Sequence, residues 1–174
     1  MILDKFMNGG YDYDNFVELV KENADAHYVI DTVPEIMGSN LIYAKIFNVF
    51  YQRTPDSEEN IIELPHYSYE AYENRFVKLL FMLLGYDQGL GDSYYIHDER
   101  IHTINEKNLD DFYEKIILAL QEWARVTVLL PQLKIAIRLA DGLFFDCVIL
   151  ENYELVEKMV ITEGLYIAKA GYNY

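Results

Sequence analysis

Residues 134–150 read Lys134-Ile-Ala-Ile-Arg-Leu-Ala-Asp-Gly-Leu-Phe-Phe-Asp-Cys-Val-Ile-Leu150, and the fold turns on how this stretch is read. Lys134–Leu139 and Phe144–Leu150 are rich in β-branched and aromatic residues, which suit a pleated, packed surface. Between them, Ala-Asp-Gly is a turn signal, because Asp and Gly tolerate the backbone angles of a tight hairpin. The stretch predicts two antiparallel strands. Directly after it, Asn152 stands where a helix cap belongs, and Leu155, Val156, Met159 and Val160 recur at helical spacing. A last strand is expected over Leu165–Ala168.

Upstream, Leu109 to about Ala124 predicts a strong helix. Asn108 is its cap, Asp110 and Asp111 suit the positive end of its dipole, and Phe112, Ile116 and Leu120 share one face. Tyr94–His97 and Arg100–Ile104 read as two short strands. Ser68–Leu84 predicts a helix with Phe76, Leu79, Leu80 and Leu83 on one side and Gly85 as its stop. Residues 41–52 fit a helical stripe (Ile42, Ile46, Val49, Phe50) and a strand alike. The Thr54–Asn60 turn and Ile61–Ile62 tip the reading to a strand and a hairpin. Tyr13–Ala24 predicts a helix capped by Asp12 or Asp14, and Ala26–Val33 a strand ended by Pro34. Helices and hairpins alternate without a βαβ rhythm. The expectation is therefore α+β, one compact domain over residues 1–174, with antiparallel hairpins packed against three to four helices.

Charge narrows the classes of partner. The 174 residues carry 29 acids and 14 bases, a net charge of −15, with 52 % hydrophobic residues. That hydrophobic share is too high for disorder. No apolar run approaches the roughly 18 residues of a membrane span. Asp4 and Lys5 interrupt the N-terminus before a signal-peptide core can form, the single Cys147 has no internal disulfide partner, and no Asn-x-Ser/Thr acceptor occurs. These features favour a reducing cytoplasm. Nucleic acid and anionic lipid are bound through Lys and Arg, so direct binding of either is not expected, whereas a basic protein would be attracted and steered. Between Arg53 and Arg75 lie six acids and no base: Asp56, Glu58, Glu59, Glu63, Glu70 and Glu73. Sixteen tyrosines are present, and Tyr67, Tyr69 and Tyr72 interleave with Glu70 and Glu73. Tyrosine offers large contact area at low entropic cost, and carboxylates beside it suit Lys- and Arg-rich surfaces. The alternative is that these rings pad the core with their hydroxyls outward.

Other clusters carry less. In a hairpin turning at Asp98–Glu99, residue 97 opposes 100 and 95 opposes 102. Tyr95, His97, Arg100 and His102 then share one face, and Ile96 and Ile101 the other. His97 and His102 could supply two ligands to a metal such as zinc, which needs at least a third that the sequence does not identify; the plainer reading is a solvent-facing surface. Cys147 lies among apolar residues with no cation to activate it, and reads as a core thiol. The glycines 85, 89 and 91 follow a helix, lack a Lys and carry Asp87 and Asp92, so they read as a linker and not a phosphate cradle.

Together these readings predict a non-enzymatic, acidic protein-binding module without cofactor. Its partner is a basic nucleic-acid enzyme, nuclease or toxin, held in the manner of an immunity protein or a nucleic-acid mimic. Expected contacts are Asp56, Glu58, Glu59, Glu63, Tyr67, Tyr69, Glu70, Tyr72 and Glu73. The competing expectations are a small metal-dependent enzyme or ligand-binding domain using the His97/His102 face, and a structural homo-oligomer, such as a dimer.

Overall fold

The computed structural model describes residues 2–7, 12–32, 41–44, 49–53, 61–64, 66–139 and 142–170. The hairpin predicted over 134–150 lies at the centre of a seven-stranded sheet. Its strands are β1 (His27–Asp31), β5 (Tyr94–His97), β6 (Arg100–Thr103), β7 (Val126–Leu130), β8 (Ile135–Leu139), β9 (Phe145–Ile149) and β10 (Tyr166–Lys169). Their order is β10-β1-β9-β8-β7-β5-β6, antiparallel throughout. Residues 41–44, 49–53 and 61–64 form strands, the reading that the sequence favoured over a helix: β2 (Leu41–Ala44), β3 (Val49–Arg53) and β4 (Ile61–Leu64) make a separate three-stranded antiparallel sheet. The helices are α1 (Ile2–Met7), α2 (Asp12–Glu22), α3 (His66–Gln88), α4 (Leu109–Leu120) and α5 (Tyr153–Thr162). The fold is α+β.

Helices cover both faces of the large sheet. Cys147, Ile137, Val128 and Tyr95 lie on one cross-strand row and enter the larger core. There they meet Phe76, Leu79, Leu80 and Leu83 of α3, Phe112 and Ile116 of α4, and Val156 and Val160 of α5. On the opposite face, Val148, Ala136, Leu129 and Ile96 pack with Ile2 and Phe6 of α1 and with Phe16, Leu19 and Val20 of α2. Each large apolar side chain so buried contributes about 1.5–3 kcal/mol relative to exposure. Covering both faces leaves β7, β8 and β9 buried at all five positions. That explains why their sequences are nearly continuous apolar runs and do not alternate.

Several expectations are corrected. Val126–Leu130, which the sequence reading left without a strand, is β7, an interior strand between β8 and β5. Residues 2–7, likewise unassigned, form α1 and bury Ile2 and Phe6. Gly85 does not stop α3, which continues to Gln88; a Cβ at Gly85 would meet nothing within 4 Å, so the helix carries it on an open side. The helix ends instead where Gly89, Leu90 and Gly91 donate their N–H groups to Gly85 and Asp87 carbonyls. Neither Asn cap forms through its side chain. Asn108 accepts from the Asn105 N–H and donates to the Thr103 carbonyl. Asn152, at φ +64°, donates to the Leu133 carbonyl.

The β5–β6 turn has the register expected, with His97 opposite Arg100 and Tyr95 opposite His102. Asp98 and Glu99 both have positive φ, +48° and +61°. A two-residue turn of this kind demands φ above zero at both positions, which Asn-Gly meets far more cheaply than Asp-Glu. Replacing Glu99 by glycine is therefore expected to stabilise the fold by about 1 kcal/mol in urea unfolding.

Candidate functional site

Of the acidic and tyrosine-rich stretch that the sequence singled out, the described side chains from Tyr69 to Glu73 do not share one surface. Asp56, Glu58 and Glu59 lie outside the described residues. Glu63 falls on β4 and Tyr67 in the first turn of α3. From Tyr69 onward the 3.6-residue period of α3 separates neighbours in sequence. Tyr69 points into the larger core and donates its hydroxyl to the Leu120 carbonyl at 2.5 Å. Glu73 is buried and accepts from Gln121 Nε2 at 2.9 Å. Tyr72 is half-buried against that core with the Arg75 guanidinium over its ring. Glu70 alone of this helical group is well exposed. Tyr69 and Glu73 thus join α3 to the end of α4 and are not presented to a partner.

The histidine hairpin also differs from expectation. Tyr95 is buried, so the shared face of Tyr95 and His102 turns towards α4 and not to solvent. His102 stacks on Tyr95 with centroids 4.8 Å apart, and the Tyr95 hydroxyl donates to Asp111 Oδ2 at 2.8 Å. Burial first, then the Asp111 carboxylate, pushes the Tyr95 hydroxyl up to about 12. In return, the Tyr95 hydroxyl and then Lys115 and His102 hold the Asp111 carboxyl below its usual range. His97 donates from Nδ1 to the Arg125 carbonyl at 3.2 Å, since a carbonyl can only accept. Among the described residues no three His, Cys, Asp or Glu side chains come together as a metal site. Cys147 is buried on the core side, and desolvation followed by Asp146 raises its thiol well above the ordinary range.

The sequence reading missed a charged row under α2. Asp146, Arg138 and Thr127 are cross-strand neighbours on β9, β8 and β7, on the face that α1 and α2 cover. Asp146 accepts from Arg138 Nη2 at 2.9 Å and from His27 Nε2 at 2.6 Å. His27, Arg138 and Asp146 are 3 %, 9 % and 1 % exposed. The Arg138 guanidinium lies under the rings of Tyr13 and Phe16, both from α2. Beside it the Thr127 hydroxyl donates to Asp12 Oδ2 at 2.6 Å. The only hint in the sequence was that Arg138 and Asp146 stand within strands otherwise apolar. His27 lies 119 residues from Asp146, beyond any local pattern.

This row closes on itself beneath a helix, so its chemistry is that of an anchor. It sets α2 on the sheet and directs the outer side of that helix. There Asp14, Glu18 and Glu22 project at i, i+4 and i+8, all exposed, beside Tyr13 at 49 % exposure. Glu22 pairs with Lys5 of α1. No ion pair is formed by Asp14 or Glu18 among the described residues. Asp98 and Glu99 extend the acidic surface at the hairpin tip.

Two outcomes test the anchor. Asp146→Ala leaves Arg138 and His27 facing a lost acceptor and is expected to cost about 3–5 kcal/mol in equilibrium unfolding. Asp12 tests it through pH. Burial raises its carboxyl, outweighing Thr127 and Arg138, which lower it. The fold therefore holds this proton more tightly than the unfolded chain does. The contribution of Asp12 to stability falls as pH rises from the unfolded carboxylate range, about 3.9, through its raised folded value, and is flat above. The stability of Asp12→Asn relative to wild type should rise across that window and then level off, as read by urea titrations at a series of pH values. Comparison with models of known protein families, with curated protein sequences and with solved structures finds no match.

Proposed function

We propose that the chain is an acidic protein-binding module that engages a basic protein, as an antagonist of a nuclease, a toxin or another nucleic-acid enzyme. The observation that supports this reading is the outer side of α2. Asp14 and Glu18 stand one turn apart, and like charges at i, i+4 destabilise a helix by about 0.2–0.5 kcal/mol. A cationic partner surface turns that repulsion into attraction. Tyr13 beside them supplies rigid aromatic area of the kind that anchors interfaces. The excess of negative charge over the whole chain adds a long-range field that speeds encounter with a basic partner and repels free nucleic acid. No helix among the described residues is long and apolar enough to cross a membrane.

On this reading the carboxylates of α2 and of the Asp98–Glu99 turn occupy the surface on which the partner would hold phosphates. Charge-assisted hydrogen bonds from its Lys and Arg side chains hold the complex together. Glu70 lies on α3, across the sheet from α2, so a partner seated on α2 does not reach it.

A panel of purified basic nucleases and restriction enzymes provides the test, with complex formation followed at increasing salt. The expected result is a complex with at least one of them that weakens with salt. Asp14→Lys combined with Glu18→Lys should weaken it by about tenfold or more, and Glu70→Lys by much less. No complex with any member at low ionic strength, or one indifferent to salt and to charge reversal, would defeat the reading. Sedimentation above 20.5 kDa without a partner would favour a homo-oligomer instead.

A further inference from the structure

A depression of about 190 Å³ opens where α1 ends, α2 begins and the β5–β6 hairpin turns. Drug- and cofactor-sized sites run from roughly 300 to 1,000 Å³, and one liquid water takes roughly 30 Å³, so this space suits a single side chain. Its base is apolar, made by the buried Phe6 and Ile96 and the half-buried Ile101. Its polar lining includes two carboxylates from different elements, Asp12 of α2 and Glu99 of the turn. Asp12 gives Oδ2 to Thr127, while Oδ1 is shielded from water and has no hydrogen-bond donor among the described residues. Glu99 is exposed and makes no ion pair among them. The cation beside Asp12, Arg138, already gives Nη2 to Asp146 and lies under two rings. Met7 stands at the mouth, 62 % exposed, and its flexible thioether adapts to an incoming chain.

We propose that this depression receives one Lys or Arg side chain of the basic protein partner. Its methylene stem lies along Phe6, Ile96 and Ile101, and its cationic head lies between Asp12 and Glu99. An apolar base with acids beyond it matches a long aliphatic stem that ends in a charge. The inference rests on the proposed function and names how that surface is read. It also gives the strained Asp98–Glu99 turn a purpose, because glycine at position 99 would relax the backbone and remove an acid from the depression.

The test uses the full chain, ¹⁵N-labelled, titrated with Nα-acetyl-lysine amide, Nα-acetyl-arginine amide and, as the uncharged control, Nα-acetyl-norleucine amide. Support would be saturable shifts confined to Met7, Asp12, Asn15, Ile96, Glu99 and Ile101, given by the cations and not by norleucine. Glu99→Gly should weaken them by about tenfold while melting higher than wild type, so the loss cannot be ascribed to unfolding. Asp12→Asn should weaken them likewise. Equal shifts from norleucine would overturn the proposal. So would shifts spread without saturation over Asp14, Glu18 and Asp110, a result that leaves the acidic module intact. Saturable binding of the capped cations with no complex to any basic protein would instead overturn the partner.

Discussion

A carboxylate cannot lie in the middle of a sheet covered on both sides unless something answers its charge. At Asp146 that answer comes from Arg138 on the strand to one side and from His27 on the strand to the other. Leaving one of these charges buried alone costs several kcal/mol, a large share of the stability of an ordinary domain. The three therefore hold β1, β9 and β8 in one register. Because the face of the Arg138 guanidinium must also be covered, the rings of Tyr13 and Phe16 settle over it, and Thr127 takes the carboxylate of Asp12. The position of α2 follows from the charged row. So do the direction in which Asp14 and Glu18 point and the space left between α2 and the outer hairpin.

The large negative charge thus divides into two populations with different work. Glu73, Asp87 and Asp146 are buried and spend their acceptors inside the fold. Asp87 is the plainest case, since it takes the Ser93 hydroxyl and the Leu133 N–H and so fastens the end of α3 to the β5 and β8 ends of the sheet. Asp14 and Glu18 on α2, Glu99 at the hairpin tip and Asp110 and Glu114 on α4 are exposed and add nothing of this kind among the described residues. Their mutual repulsion works against the compact state and is relieved by counter-ions or by a basic surface. Tyrosine divides in the same way: Tyr69 and Tyr95 are core residues with bonded hydroxyls, while Tyr13 looks outward.

Much of the fold was legible, and for local reasons. The α3 core face followed from Phe76, Leu79, Leu80 and Leu83 at helical spacing, and the β5–β6 register followed from a two-residue turn at Asp98–Glu99. What escaped notice was either non-periodic or distant. Val126–Leu130 is apolar at four of its five positions, and a run that does not alternate has no strand signature of its own. Glu70 and Glu73 look alike in a row of letters, yet their three-residue spacing falls short of a full turn, and one is exposed while the other is buried. His27 and Asp146 meet only because β1 lies beside β9.

By itself the sequence determined the short-range order: where the chain turns, which segments have a helical or a strand period, and that two faces of each hairpin differ. It also determined the sign of the field around the molecule, because net charge is a sum that no packing alters. Only the tertiary structure decided which of those faces is inside. Alternation distinguishes Tyr95 and His102 from Ile96 and Ile101 without saying that both sides will be covered, one by α4 and the other by the N-terminal helices. Covering is a property of contacts between remote segments, set by total apolar area and by the need to compensate each buried charge. Neither can be read along the chain.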